Sequence, residues 1–157
     1  MDADRAAAWC EKMMAMRRAH VRRALLRHGL HLGQPEMLEF IRTHPGCTQK
    51  QMADSAGVTP ASIAASFKRM ESAGLIARHA DTADTRCNRV YITEQGEKVL
   101  KSSILEISRL NRQMLEDISQ EELAVFCLCM KKMCSNLDQN GEKDDDFITE
   151  KQDDLPV

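Results

Sequence analysis

Apolar residues recur every three or four positions along the first long segment of the chain, from about residue 4 to residue 28. This spacing is typical of an amphipathic α-helix. Gly29 follows the segment, and a shorter helix is predicted from Pro35 to Thr43 before Pro45 and Gly46 break the chain. The stripe of the first helix consists of Trp9, Met13, Met16, His20 and Ala24.

Two short helices are predicted next, separated by a turn of about three residues. Thr48 and Gln51 have the spacing of a capping box, which begins a helix that runs to about residue 55. Gly57 lies in the turn, and Thr59 followed by Pro60 is a typical N-cap and first residue of the next helix. Two helices joined by so short a turn indicate a helix-turn-helix.

The periodicity changes from helical to two-residue after Gly74, where the second helix ends. Residues 75–79 and 89–93 are predicted strands, and residues 81–88 form a polar loop between them. A strand, loop and strand directly after a helix-turn-helix form a wing.

Two long helices complete the chain, from Thr93 to about Asp117 and from Ser119 to about Leu137. The predicted fold is mostly α with a small β-wing. A single domain, residues 1–137, contains a winged helix-turn-helix lobe at 35–96 and dimerisation helices at 4–28 and 97–137. The apolar stripe of the last helix consists of Leu123, Phe126, Cys127, Met130, Cys134 and Leu137.

Composition supports a helical protein, since only 4% of residues are aromatic whereas ten are Met. No apolar run approaches the ~20 residues that span a bilayer, and the N-terminus lacks the order of a signal peptide. The sequence therefore predicts a cytoplasmic protein without membrane association.

The net charge of −2 conceals an acidic end and a basic body. Residues 138–157 hold eight acidic residues and two lysines, whereas the remaining residues carry a net charge of +4. A mildly basic body permits nucleic-acid binding. The acidic tail is predicted to be disordered and solvated, and the alternative is that it competes with DNA for the basic face.

The helix from Thr59 has one apolar face, formed by Ile63, Phe67 and Met70. Its other face combines small residues, which permit close approach to a major groove, with hydroxyls and cations for bases and phosphates. The predicted DNA-binding residues of this helix are Thr59, Ser62, Ser66, Lys68 and Arg69.

The predicted wing loop carries a cation near its tip, Arg86, which follows Asp84 by two residues. A guanidinium at such a tip can enter a narrow minor groove, and Asp84 could hold it in position. The alternative is a solvated charge or a local salt bridge.

These motifs, in order and at this spacing, resemble those of the MarR family over residues 35 to 100. The resemblance implies a homodimer that binds a pseudo-palindromic operator in double-stranded DNA, with half-sites ~34–36 Å apart. It implies repression that a small ligand or an oxidant relieves. The segments that carry the resemblance are Thr48-Gln49-Lys50-Gln51-Met52-Ala53, Gly57-Val58-Thr59, Phe67-Lys68-Arg69-Met70-Glu71, Gly74-Leu75-Ile76-Ala77-Arg78, Asp84-Thr85-Arg86 and Val90-Tyr91-Ile92-Thr93-Glu94-Gln95-Gly96.

One position departs from the family. Many relatives carry Ser-Arg or Thr-Arg where this chain has Ala64-Ala65, which removes a bidentate guanine contact worth ~1–3 kcal/mol. Specificity is therefore expected to depend on Ser62, Ser66, the wing and DNA shape.

A small aromatic effector is predicted to bind between the dimerisation helices and the lobe. The candidate lining residues are His20, Met37, Phe40 and Met114, and the alternative is that they are ordinary core residues.

Six cysteines match no metal or disulfide framework and are expected to be reduced structural thiols, with a thiol switch as the alternative. His28 and His31, with His44 or Cys47, are conceivable metal ligands, but no CxxC or HxxxH pattern supports them, so no metal or cofactor is predicted.

The chain contains no catalytic motif, so an enzyme is not expected. The alternative function is a winged-helix module for protein or RNA interaction without operator binding.

Overall fold

A computed structural model describes residues 2–80 and 88–140 of the chain. The chain divides into two compact units, Met1–Met114 and Leu115–Val157. The first unit holds five helices and one antiparallel two-stranded sheet among its described residues, and the second holds one helix, so the predicted fold class is confirmed. The elements are α1 (Ala3–Arg27), α2 (Gln34–Thr43), α3 (Gln49–Ser55), α4 (Pro60–Ser72), β1 (Ile76–Ala80), β2 (Asn88–Ile92), α5 (Glu94–Met114) and α6 (Gln120–Asn140).

The core of the first unit draws side chains from all five of its helices and from both strands. Phe67 of α4 is 0% exposed and lies in the same cluster as Leu25 of α1, Leu38 of α2 and Val90 of β2. Full burial of one such side chain contributes about 1.5–3 kcal/mol. Helices and sheet are therefore held in one packed unit rather than as separate pieces.

Side-chain caps fix the beginnings of the helices where the sequence predicts them. Thr48 and Gln51 form the complete capping box of α3, as predicted. Thr93 Oγ1 accepts from the Gly96 amide at 3.0 Å and donates to the Gly74 carbonyl at 2.6 Å. The start of α5 is thus tied to the end of the α4 segment.

Gly96 lets α5 approach the segment that leads into β1. A Cβ added at Gly96 would lie 2.1 Å from the carbonyl oxygen of Leu75, a backbone atom that cannot move aside. Only glycine allows this approach, so the resemblance motif that ends at Gly96 has a packing reason.

The predicted end of α5 is wrong by about one turn. The helix ends at Met114 rather than near Asp117, and Asp117 has a φ of 62°. This is the left-handed region, which aspartate tolerates better than most residues. The chain therefore leaves the helical path at a place that neither proline nor glycine marks.

Helix α6 of the second unit has apolar side chains that remain exposed. Leu137 is 74% exposed and Phe126 is 45% exposed, and Leu128 and Met133 are exposed as well. Isolated exposed apolar residues are ordinary, but a helix covered with them indicates an interaction surface.

None of the helices in the part of the chain that the structure describes is both long enough and apolar enough to cross a membrane.

Candidate nucleic-acid interface

The segment between α3 and α4 spans residues 56–59, which are the predicted turn at 56–58 and the N-cap Thr59, and its geometry is held by two features. Gly57 has a φ of 60°, which glycine adopts without steric cost. Gln49 Nε2 donates a hydrogen bond to the Pro60 carbonyl at 2.9 Å. This bond joins the first turn of α3 to the first turn of α4, so the second helix has a defined direction relative to the first.

The inner face of α4 is buried as the sequence predicts. Ile63 and Phe67 are 0% exposed and Met70 is nearly so. On the outer face Lys68 and Arg69 are exposed. The buried face fixes the helix on the core, so its cations project away from the protein.

Hydroxyl groups on α4 are engaged in local hydrogen bonds. Thr59 Oγ1 accepts from the Ser62 amide at 3.4 Å and lies 3.0 Å from Ser62 Oγ. Arg69 Nη2 donates to Ser66 Oγ at 3.1 Å, and Ser66 is half-buried. Thr59 therefore caps the positive end of α4, where backbone amides attract anions, and the Ser62 hydroxyl contacts this cap. Ser66 holds the guanidinium of Arg69.

The surface of α4 is open around Ala65, one of the two alanines that stand where many relatives carry Ser-Arg or Thr-Arg. Ala65 and Ala73 lie beside Lys68, Arg69 and Ser72 around a shallow concavity of about 530 Å³. The methyl group of Ala65 leaves room for a close approach by a ligand backbone or groove wall. The cations stand at the edge of this concavity, which is suited to a polyanion.

Strands β1 and β2 pair in antiparallel register from Ile76 with Ile92 to Ala80 with Asn88. Cys47 forms a bridge with Val90, and Arg89 Nη1 donates to the Gly46 carbonyl at 3.2 Å. The base of the wing is thus tied to the segment before α3. Asp84 and Arg86, the predicted wing residues, lie outside the described residues.

Two of the four predicted effector residues share a groove between α1 and α5, and two do not. His20 and Met114 line a groove of about 410 Å³ together with Trp9, Met13 and Met16. Met37 and Phe40 on α2 instead pack against the hydrophobic core, and Phe40 stacks on His44 with ring centroids 4.2 Å apart.

A polar cluster lies farther along the contact between α1 and α5. His28 Nε2 donates to Glu106 Oε2 at 2.5 Å, and Arg27 forms an ion pair with the other carboxylate oxygen. The hydrogen bond from His28, followed by the charge of Arg27, holds the pKa of Glu106 below its usual range. A cleft of about 380 Å³ beside this cluster is lined by Arg23 and Arg109.

None of the described cysteines forms a disulfide with another described residue. Cys47 is buried, and burial raises the pKa of its thiol, which lowers its reactivity. Cys10 is half-buried, and Cys127, Cys129 and Cys134 are exposed on α6.

Within the described ranges, no three His, Cys, Asp or Glu side chains converge as a metal site, and His28 is engaged by Glu106.

Sequence patterns did not identify two charged groups that the fold brings to these sites. Glu106 lies 78 positions from His28, so no local spacing could reveal their contact. Arg78 lies on β1 two residues after the buried Ile76, and strand alternation places its side chain on the inner face. That alternation is the signal that could have found Arg78.

Comparisons with known proteins agree with this geometry. The model of the MarR family matches residues 30–88. The transcriptional regulator HosA of Escherichia coli O127:H6 is 34% identical over 100 residues, which are 64% of this chain and 74% of the relative.

Solved structures show the same fold. The YusO protein from Bacillus subtilis has a TM-score of 0.74 and 17% identity, over 86% of this chain and 99% of that chain. A mutant of MepR from S. aureus bound to an oligodeoxyribonucleotide has a TM-score of 0.65 and 20% identity, over 84% of this chain and 97% of that chain.

The family motifs, the fold and the identity to a named regulator agree. This chain belongs to the MarR family of transcriptional regulators.

Proposed function

We propose that the chain is a sequence-specific repressor that binds a pseudo-palindromic operator in double-stranded DNA as a homodimer. The observation that carries this proposal is the outer face of α4, where Lys68 and Arg69 flank the small residue Ala65 on a helix whose inner face is fully buried. The MepR structure, which shares the fold, holds an oligodeoxyribonucleotide, and this likeness supports the choice of ligand.

The predicted DNA-binding residues on α4 and at its N-cap have proposed roles that follow from their positions. Lys68 is a point charge for phosphates, and Arg69, held by Ser66, is an oriented donor. Ser62 and Thr59 stand at the positive end of the helix, where a phosphate or a base edge would meet their hydroxyls and the capping amides. Specificity is expected from Ser62 and Ser66 together with DNA shape.

Asp84 and Arg86 complete the proposed interface from the wing. The strands on either side of them, β1 and β2, are paired along their whole length and anchored to Gly46 and Cys47. A loop on a base held this way would present Arg86 to the minor groove next to the major-groove contacts of α4.

The homodimer is proposed from apolar surface that this chain leaves uncovered. Trp9 and Met16 on α1, Met114 on α5 and Phe126 and Leu137 on α6 are all exposed. A second copy would cover such surfaces by the ordinary hydrophobic gain of about 25 cal/mol per Å². Two α4 helices related by a two-fold axis would then face half-sites ~34–36 Å apart.

Release by a small apolar or aromatic ligand is proposed at the groove between α1 and α5. His20 and Met114 lie in this groove, and its methionines can adapt to ligand shape. Met37 and Phe40 lie outside it, so we place no ligand contact on them. An oxidant acting on the cysteines of α1 and α6 is the second route by which repression could be relieved.

Selection of bound duplexes from a random pool tests the proposal. We expect one enriched palindrome, whose affinity falls steeply as salt rises because counterions are released from phosphates. A matched single-stranded RNA pool serves as control. Equal retention of all duplexes, or preferential retention of RNA, would contradict operator binding and favour the protein- or RNA-interaction alternative.

A further inference from the structure

Arg78 occupies a strand position that faces the protein interior beneath α4. It follows the buried Ile76 by two residues on β1, and its partner across the sheet is the buried Val90. Residues two apart on a strand share a face, and the Arg78 side chain is only 23% exposed. An apolar side chain is the ordinary occupant of such a position.

Two contacts join Arg78 to successive turns of α4. The guanidinium carbon lies 5.6 Å from the centroid of the Phe67 ring, within the range of a cation–π interaction. Arg78 Nε lies 3.1 Å from Glu71 Oε2. The strand that leads toward the wing loop is thus attached to the helix that carries Lys68 and Arg69.

Arginine is a costly choice here if stability is the only requirement. The contact with Glu71 has the distance of an ion pair but not the geometry of a hydrogen bond, and Nε, shielded from solvent, has no hydrogen-bond partner among the residues that the structure describes. The acceptor side of this pair is 44% exposed, and an ion pair this open to solvent contributes little to stability. An apolar side chain would fill the strand position at no loss to the fold, so we look for the use of the cation outside the fold.

The charge of Glu71 indicates that use. Glu71 is 44% exposed and follows Lys68 by three residues, so the two side chains are neighbours on the helix surface. An uncompensated carboxylate there would repel the phosphates that Lys68 attracts. Arg78 offsets this charge from beneath the helix without itself occupying the outer face.

We propose that Arg78 is a positioning residue of the DNA interface, which binds Glu71 from beneath α4 and so keeps the surface around Lys68 attractive to phosphate. This inference rests on the proposed operator binding. It assigns the pair Arg78 and Glu71 to affinity for DNA rather than to stability of the fold.

The first test is Arg78→Met, which keeps the apolar stem and removes the charge. We expect affinity for the selected operator to fall about tenfold, while the midpoint of thermal unfolding stays level or rises. Adding Glu71→Gln removes the stranded carboxylate, so the double variant should recover affinity to within about threefold of the unchanged protein.

Two further measurements separate this role from a direct phosphate contact and from general damage. The dependence of affinity on salt should have the same slope in the double variant as in the unchanged protein, whereas loss of a phosphate contact lowers the slope by about 1. The matched control is Arg42→Met with Glu39→Gln, another arginine–glutamate pair, on α2, and we expect its operator affinity to be unchanged.

Each outcome is decisive. If the unchanged protein selects an operator and Arg78→Met binds it equally well, the inference fails while operator binding stands. If affinity falls only in proportion to lost thermal stability, or Glu71→Gln restores nothing, Arg78 is a structural residue and the inference fails. If the unchanged protein selects no duplex, operator binding fails and this inference fails with it.

Discussion

Helices α4 and α6 are both amphipathic, but the large apolar side chains of α4 are buried whereas most of those of α6 are exposed. Phe67 on α4 is 0% exposed within the first unit, whereas Phe126 on α6 is 45% exposed. The apolar face of α4 is buried by other elements of the first unit. The apolar face of α6 stays exposed in the single chain. The comparison teaches that one chain suffices to bury the inner face of the helix that we propose faces DNA, whereas the apolar face of α6 would be buried by the proposed second copy.

Substituting each phenylalanine by alanine breaks this comparison most sharply. Phe67→Ala should lower the free energy of unfolding by about 3–5 kcal/mol at any protein concentration, because its contacts are internal. Phe126→Ala should cost less, and its effect should depend on protein concentration, because its proposed contacts are with a second copy. Denaturant unfolding of both variants at two concentrations, about a hundredfold apart, measures the difference. A concentration-independent loss in Phe126→Ala would contradict the dimer.

Gly96→Ala tests the close packing of the lobe. The added Cβ would meet the Leu75 carbonyl at 2.1 Å, so α5 must move, and overpacking of this kind typically costs about 1–3 kcal/mol. Gln95→Ala, at the exposed and uncharged neighbouring position, is the matched control and should change stability by under about 0.5 kcal/mol. Thermal unfolding of the two variants side by side decides, and equal midpoints would show that the approach of α5 is not tight.

Lys68→Ala sharpens the assignment of α4 as the DNA-facing element. Loss of one phosphate contact should weaken binding to all duplexes alike and reduce the slope of log affinity against log salt by about 1. Lys98→Ala removes an exposed lysine from α5 instead and should leave both quantities unchanged. Binding isotherms at several salt concentrations provide the measurement. An unchanged slope in Lys68→Ala would remove this residue from the interface.

The smallest expected effect belongs to the cluster of Arg27, His28 and Glu106. Because the folded-state pKa of Glu106 is lowered, chiefly by the hydrogen bond from His28, its contribution to stability is present above the unfolded-state pKa and is lost as pH falls through the folded-state pKa. Glu106→Gln should therefore lower stability at neutral pH, by up to about 1 kcal/mol. The deficit should shrink as pH falls below the ordinary glutamate pKa of ~4.3 and vanish once pH is below the lowered folded-state pKa. Unfolding curves at neutral and acidic pH measure this, and a deficit that grows in acid would contradict the assignment.

Local sequence patterns predicted most of the lobe because its boundaries are set by local chemistry. Thr48 with Gln51 and Thr59 before Pro60 fix helix starts through hydrogen bonds that span three residues. The buried face of α4 follows from the ~3.6-residue helical repeat. These features require no knowledge of the tertiary fold.

Other features depend on packing between distant segments and could not be obtained this way. Met37 and Phe40 are as apolar as Met114, but the direction of α2 turns them into the core rather than into the groove. Asp117 follows the end of α5 with a left-handed φ that its sequence neighbours do not signal. The contact of Arg78 with Glu71 depends on how β1 crosses α4.

Recognition of a specific duplex by α4 and the wing is the central claim. The most direct measurement compares, at physiological salt, the affinity of the protein for its selected palindrome and for a scrambled duplex of equal length and composition. We predict a preference of about a thousandfold or more. A ratio near unity would contradict operator recognition and leave only charge-driven binding to DNA.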